Sequence, residues 1–335
     1  MPVATPQTIL TRKTKAAIFL VATITDGAEQ TVHDFLPEVS GLTSAVSSRA
    51  PEAALAAIVG IGSDAWDRLF DGPRPASLHP FVPLAGPVHA APSTPGDLLF
   101  HIKADQMDQC YEVGRLITGA LGDAITVLDE VHGFRYFDLR DLIGFVDGTE
   151  NPTGQDAVDT ITADDDDGCA GGSYVAIQRY VHDLKAWRAL STSAQEAAIG
   201  RTKSDNVEMS DEVKPTNSHI ALNVVTDENG TELDIVRDNM PYGNVSGTGE
   251  SGTFFIAYSS TPDITERMLR NMFLGDPPGN HDRLLDFTTA VTGTQFYAPT
   301  VEFLGDPPPL PGTDADPQPP VSEPANGSLG IGSLR

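Results

Sequence analysis

Residues 219–238 read HIALNVVTDENGTELDIVRD, and the way this stretch reverses decides the fold class. Ile220, Leu222 and Val224 alternate with their neighbours, which is the period of a half-buried strand. Asn229-Gly230 then supplies a strong hairpin turn, and residues 232–238 resume an extended pattern. Further strands are expected at residues 172–181 and 252–259. The first half offers strands at Ala16–Ile24, 55–61, Leu98–Ala104, 125–131 and around 135–139. Helices are expected over Met107–Leu121, 183–200 and 261–273, the last opening with the first-turn signal Thr261-Pro262-Asp263. Strands therefore come in hairpins with interspersed helices rather than in strict β-α alternation. That pattern argues an α+β fold with antiparallel sheets. The two halves have similar element content, as if one unit occurred twice.

Length and charge bound the function. A chain of 335 residues suggests two domains. With 47 acidic against 21 basic residues the formal charge is −26, so nucleic acid and anionic membrane are poor partners. Two cysteines, Cys110 and Cys169, offer no CxxC motif and no disulfide framework, which favours a reducing compartment. Arg12, Lys13 and Lys15 before the apolar run at Ala16–Ile24 loosely imitate a secretion signal. No A-x-A-like cleavage site follows, and the run is too short to span a bilayer. The expectation is a core strand in a cytoplasmic protein. The aspartates at 164–167 read as a solvated loop, since adjacent carboxylates repel without interleaved carbonyl donors. Residues 306–327, DPPPLPGTDADPQPPVSEPANG, are too poor in bulky apolar groups to offset their ordering entropy. They read as a disordered tether, after which Leu329, Ile331 and Leu334 reappear as candidate docking anchors. The expected divisions are 1–155, 156–305 and the tail 306–335.

Four local patterns bear on chemistry. Gly60-Ile61-Gly62-Ser63-Asp64-Ala65 matches a dinucleotide fingerprint, yet the required acid about 20 positions on is missing, so the match reads as accidental. Residues 143–152, IGFVDGTENP, set Asp147 beside Gly148 and end in Asn151-Pro152. Taken alone this is turn chemistry, although glycines around one carboxylate also permit close approach of a bulky group. Residues 214–219, KPTNSH, place His219 at the entrance of the expected strand, where any one of eight histidines is more often a bystander. Residues 235–243, IVRDNMPYG, follow the hairpin turn. Folding there brings Arg237 opposite the region of Leu222 and gathers His219, Arg237 and Asn239 at one open end.

These residues bear a family resemblance. GFVDGTENP, KPTNSHIALN and IVRDNMPYG closely resemble the signature blocks of the dye-decolourising peroxidases of the B-type subgroup, and GSDAWDRL, GDLLFHI and AVTGTQFYAPT fit as well. The resemblance spans about residues 15–304. It implies two ferredoxin-like halves with antiparallel sheets and peripheral helices, and one haem b per chain in a pocket of the C-terminal half. By motif, it implies His219 as the axial iron ligand, Asp147 as the distal carboxylate, and Arg237 with Asn239 completing the distal pocket. Peroxide cleavage needs a proton moved between the two oxygens and a fixed positive charge as the bond breaks. The ligand histidine should donate its other N–H to a carboxylate, for which Asp282 is the candidate and Asp286 the alternative. Arg201 is the candidate propionate partner. Trp66 and Trp187 read as core packing rather than as electron relays.

The terminal SLGIGSLR resembles the peptide that loads such peroxidases into encapsulin shells, where apolar anchors dock into a groove. The resemblance thus implies a homo-oligomeric peroxidase using hydrogen peroxide and an organic reductant, held in the cytoplasm inside an encapsulin nanocompartment. Two rivals remain at this stage: a haem carrier or iron-releasing protein, and a scaffold without haem that only binds a shell.

Overall fold

The apolar run AAIFLVATI forms the first strand, β1 (Ala16–Ile24), buried along nearly its whole length because it pairs on both sides. Its side chains alternate. Ala17, Phe19 and Val21 face one core, whereas Ile18, Leu20 and Ala22 face another. In the computed structural model, which describes residues 5–164, 168–246 and 249–312, this strand opens a repeated unit. The first unit runs β1, α1 (Glu29–Phe35), α2 (Glu38–Ser47), β2 (Ala56–Gly62), α3 (Ser63–Leu69), a small ribbon of β3 (Leu84–Ala85) and β4 (Ala90–Ala91), β5 (Leu98–Ala104), α4 (Met107–Leu121) and β6 (Ile125–Phe134). After α5 (Gly154–Ile161), the second runs β7 (Ser173–His182), α6 (Leu184–Ala189), α7 (Thr192–Ile199), α8 (His219–Asn223), β8 (Val236–Arg237), β9 (Met240–Gly243), β10 (Ser251–Ser259), α9 (Pro262–Leu274), β11 (Thr288–Ala290) and β12 (Thr294–Ala298), before α10 (Val301–Gly305).

The strand order is β6-β1-β5-β2 in the first half and β12-β7-β10-β8 in the second, with β9 also on β10 and β11 on β7. Numbered within each half, both read 4-1-3-2, the antiparallel ferredoxin-like arrangement. Pairing of β2 with β12 (Phe296 opposite Gly62, Tyr297 opposite Ile61) joins them into one ten-stranded sheet. The sheet curls until β6 lies against β9, where Gly133 meets Met240. Phe19, Leu99, Val175, Phe254, Tyr258 and Phe296 fill the enclosed core, while Trp66 lies in a second core of the first half, with Ala65, Leu69, Cys110, Val113 and Ile117 from α3 and α4.

Several expectations need correction. Residues 219–223 are one helical turn, not a strand, because Ser218 caps them by accepting from the Ala221 N–H. The reversal at Asn229-Gly230 does form, organised by the Asp227 carboxylate, which accepts from the Asn229 and Thr231 N–H groups at 2.8 Å. No strand forms over 135–139, where Phe137 and Leu139 have positive φ and only a Tyr136–Arg140 bridge remains. The helix expected over 183–200 is two, with Ser191 capping the second. In the fingerprint-like stretch, a Cβ on Gly60 would press on Phe296 and one on Gly62 would meet the Gly96 carbonyl at 2.3 Å; these glycines serve strand packing.

The loop before residue 155, expected in the first domain, makes its polar contacts with the second half through Asp147–Asn239 and Asn151–Arg237. Residues 306–312, expected in the tether, are docked rather than free. His33 Nε2 bonds the Pro308 carbonyl at 2.8 Å, the Asp71 N–H donates to Pro309 at 2.7 Å, and Leu310 packs on the core of the first half. The anchors Leu329, Ile331 and Leu334, and all but Asp164 of the aspartate run, lie outside the described residues. Trp66 and Trp187 are buried, their indole N–H groups bonded to the Pro73 and Ile143 carbonyls, as core packing requires.

Candidate active site

His219 begins a five-residue helix, too short to stand alone and held by its surroundings. Its Nδ1 lies 2.7 Å from Asp282 Oδ2, and Asp282 is fully buried. The carboxylate is fixed in turn, since its other oxygen accepts the Leu284 N–H at 2.8 Å and its own N–H donates to Met272. Asn223, one turn on, donates to the His219 carbonyl at 2.7 Å. A carboxylate on Nδ1 orients the ring and leaves Nε2 as the nitrogen available to a metal. Of the two candidate partners, Asp282 makes this contact. Asp286 bonds His89 and His281 instead.

Arg237 ends β8 and Asn239 lies in the short break before β9, while Asp147 comes from the loop after β6. Gly144 and Gly148 carry φ of +92° and +71°, a conformation that lets this loop turn tightly around Val146 and Asp147. The Asp147 N–H donates to the Leu139 carbonyl at 2.8 Å, and Asn239 Nδ2 donates to Asp147 Oδ2 at 3.0 Å. Asn239 is itself oriented, its Oδ1 accepting the Ile256 N–H at 2.9 Å. Arg237 is positioned through its backbone. Asn151 Nδ2 donates to the Arg237 carbonyl at 2.6 Å, and the Arg237 N–H donates to Asn151 Oδ1 at 3.0 Å. The Arg237 Nε is buried, and among the described residues it has no hydrogen-bond partner.

His219, Asn223, Asp147, Arg237 and Asn239 line one cavity, of about 1160 Å³ with its mouth included, whereas Asn151 and Asp282 stand behind its lining. Ile143, Phe145, Ile199, Phe255, Met268 and Leu284 supply apolar walls. Arg201 also lines it, pairing with Glu150 and Glu208 and donating to the Asn206 carbonyl at 2.8 Å. The expected hairpin geometry was therefore right in outcome and wrong in cause. Arg237 sits opposite Ala257 of β10, not opposite Leu222, and His219 arrives on a separate helix.

Sequence reasoning missed two features. Asn151, read as part of a turn, clamps Arg237 on both its backbone groups. Asp141 and His182 form a buried pair on the cavity wall, Oδ1 to Nε2 at 3.2 Å, with Thr253 on the same carboxylate and Thr288 on His182 Nδ1 at 2.7 Å. Burial alone would raise the Asp141 carboxyl, but His182 and the donated hydrogen bonds hold it below the usual carboxylate range. No local pattern links residues 41 positions apart, so nothing short of the fold reveals this pair.

The arrangement offers an imidazole nitrogen for iron, apolar walls for a large planar group, and a carboxylate beside a guanidinium with an unused buried donor. Family models described as Dyp-type peroxidase, N-terminal, and Dyp-type peroxidase, C-terminal, match residues 6–135 and 138–303. This chain belongs to the Dyp-type peroxidase family. A dye-decolorizing peroxidase of Mycolicibacterium paratuberculosis is 60% identical over 336 residues, covering 100% of this chain and 94% of the relative. The cryo-EM structure of an encapsulated DyP-type peroxidase from Mycobacterium smegmatis is similar at a TM-score of 0.90 and 58% identity, covering 92% of this chain and 100% of that one. DyPB from Rhodococcus jostii RHA1 follows at 0.87 and 54%, covering 90% and 97%, and variants of that protein have been solved in complex with heme. The Dyp-type halves meet between residues 135 and 138, where β6 ends and the cavity loop begins.

Proposed function

We propose that this protein is a haem-dependent dye-decolourising peroxidase, reducing hydrogen peroxide while oxidising organic reductants such as dyes and phenolics. The observation that carries the reading is the His219–Asp282 pair in the same cavity as Asp147, Asn239 and an Arg237 with a spare buried donor. Those residues fit haem b. His219 would hold the iron through Nε2, the apolar walls would hold the ring, and Arg201 would meet a propionate. When bound, the haem supplies the redox-active iron that accepts peroxide and passes on oxidising equivalents.

The chain's own residues then divide the work. Asp282 keeps the His219 ring oriented and makes it a stronger electron donor. Asp147, held by Asn239, sits where it can take a proton from peroxide and return it to the departing oxygen. Arg237 brings a guanidinium that stabilises negative charge as the oxygen–oxygen bond breaks. A haem carrier needs neither Asp147 nor Arg237, which favours the peroxidase over carriage. We also place the protein in the cytoplasm, as an oligomeric cargo of an encapsulin shell docked through Leu329, Ile331 and Leu334. The encapsulated state of the Mycobacterium smegmatis relative supports that placement, and no described helix is long and apolar enough to cross a membrane.

The test is an absorption spectrum of the haem-loaded protein, followed by steady-state turnover of peroxide with a dye. A Soret band that responds to peroxide, with dye oxidation that saturates in both substrates, is the expected result. Haem binding without turnover would favour the carrier, and no Soret band at all would leave only the scaffold.

A further inference from the structure

Among the described residues outside the cavity, His89, His281 and Asp286 gather as a cluster of metal-ligating side chains. One ligand atom from each lies within 4.8 Å of the others. Both imidazoles direct Nε2 to the same carboxylate oxygen, Asp286 Oδ1, His89 at 3.0 Å and His281 at 3.2 Å. The rings stand 4.8 Å apart at 69°, edge to face rather than stacked. Around a tetrahedral zinc ion with bonds of ~2.0–2.1 Å, ligand atoms sit about 3.3 Å apart. Both His–Asp separations already lie near that edge. We propose that His89, His281 and Asp286 form a binding site for a divalent first-row transition cation, with zinc as the defining probe.

Chemistry and scaffold both support the assignment. Two imidazoles and one carboxylate on one side of an ion leave further positions for water, a donor set that suits zinc, iron, nickel or copper and disfavours magnesium and calcium. His89 lies on the tight turn of the β3–β4 ribbon, closed by the Gly86 N–H donating to its carbonyl at 2.9 Å. That turn is seated on α9, since a Cβ on Gly86 would meet the Phe273 carbonyl at 2.0 Å. His281 precedes the 3-10 turn Arg283–Asp286 and Asp286 ends it, with Asp282 capping its start. The side chains are about a fifth to a third exposed, so an ion from solvent can reach them. Arg283 approaches the other oxygen of Asp286 at 3.3 Å, which leaves Oδ1 to the two histidines. A bound ion would clasp the ribbon to the segment that carries the buried partner of His219.

The experiment uses the full-length haem-loaded enzyme, stripped with a chelator and titrated with zinc by calorimetry. Zinc-edge X-ray absorption then reports the ligands. The expected result is one zinc per chain with two imidazole donors, a raised melting temperature, and loss of that equivalent in both His89→Gln and His281→Gln. Glutamine keeps a side-chain hydrogen-bond donor, and an unchanged Soret band in each variant would show that the fold survives. His89→Gln should also keep normal dye turnover. Three results would overturn the proposal: no stoichiometric zinc, zinc retained by both variants, or an oxygen-only shell.

Discussion

In the role proposed for it, Arg237 meets opposing demands: a guanidinium must be buried near the reacting oxygens, yet not be neutralised by an ion pair. The structure answers by fixing its backbone rather than its head group. Asn151 and Lys13 bind its carbonyl at 2.6 and 2.7 Å, and the head keeps a buried Nε without a partner. Replacing it by leucine should slow peroxide-driven change in the haem spectrum by about 10²–10³ or more, the scale of one lost charge-stabilising donor. Stopped-flow measurement decides this, and Asp147→Ala should be the milder of the two because Arg237 with a pocket water can still move the proton. His219→Ala should lose stable haem or its histidine-ligated spectrum, whereas Asp282→Asn should keep haem but raise the iron's reduction potential, read by spectroelectrochemistry. At this scale the sequence was informative. His219, Asp147, Arg237, Asn239 and Asp282 stand within or near recognisable blocks. Asn151 hid inside an Asn-Pro turn, because its clamp on Arg237 exists only once residues 86 positions apart are brought together.

One turn of helix shows why element type was harder to read. Over so short a stretch, Ile220 and Leu222 satisfy a strand period while Ile220 and Val224 satisfy a helical one, so periodicity cannot separate them. The deciding signal was the N-cap, Ser218 after Pro215, which an alternating pattern obscured. Ser218→Ala should cost about 1 kcal/mol, and because the turn carries His219 the effect should appear as faster haem loss more than as lower melting temperature. Haem transfer to apomyoglobin measures it. Long elements were legible for the opposite reason. Met107–Leu121 repeats its apolar face over four turns, and residues 98–104 are buried throughout. In β10, Gly252 lies so close to β7 that a Cβ would stand 1.8 Å from the Tyr180 carbonyl. Gly252→Ala should therefore destabilise the protein by about 1–3 kcal/mol or more, measurable as a denaturation midpoint, and weaken the strand that bears His182.

Across the whole molecule the two halves are bound by more than the β2–β12 pairing. Lys103 of β5 donates to Asp238 Oδ2 at 2.7 Å, Lys13 reaches the other oxygen at 3.2 Å, and His101 bonds the Tyr258 hydroxyl at 2.7 Å, all between the halves. Burial, and then the neighbouring Lys103, depress His101 from its ordinary value to about 3. Between pH 6.5 and 3 the unfolded chain thus binds a proton the folded chain refuses, and folding weakens as pH falls, by at most ~1.4 kcal/mol per pH unit for this one group. Asp238 acts in the same direction lower down: despite burial, Lys103 and Lys13 hold its carboxyl well below the ordinary value, so its contribution is present above pH 3.8 and lost on further acidification. Denaturation midpoints between pH 7 and 4 should fall more steeply for the native chain than for His101→Phe. Equal slopes would remove His101 from this account. The repeated 4-1-3-2 order was foreshadowed by the family resemblance, which implied two ferredoxin-like halves; the residue patterns themselves showed only similar element content, because edge pairing between distant strands leaves no local signal.

The docked start of the tail has a mechanical consequence. Every residue lining the cavity follows Arg140 in the chain, whereas Pro308, Pro309 and Leu310 are fastened to His33, Asp71 and the core around Trp66. A leash pulled from beyond residue 312 would load the half that holds none of the lining. Tension would have to cross the shared sheet before it reached His219, so a pull on this end of the chain would leave the His219–Asp282 contact unstrained.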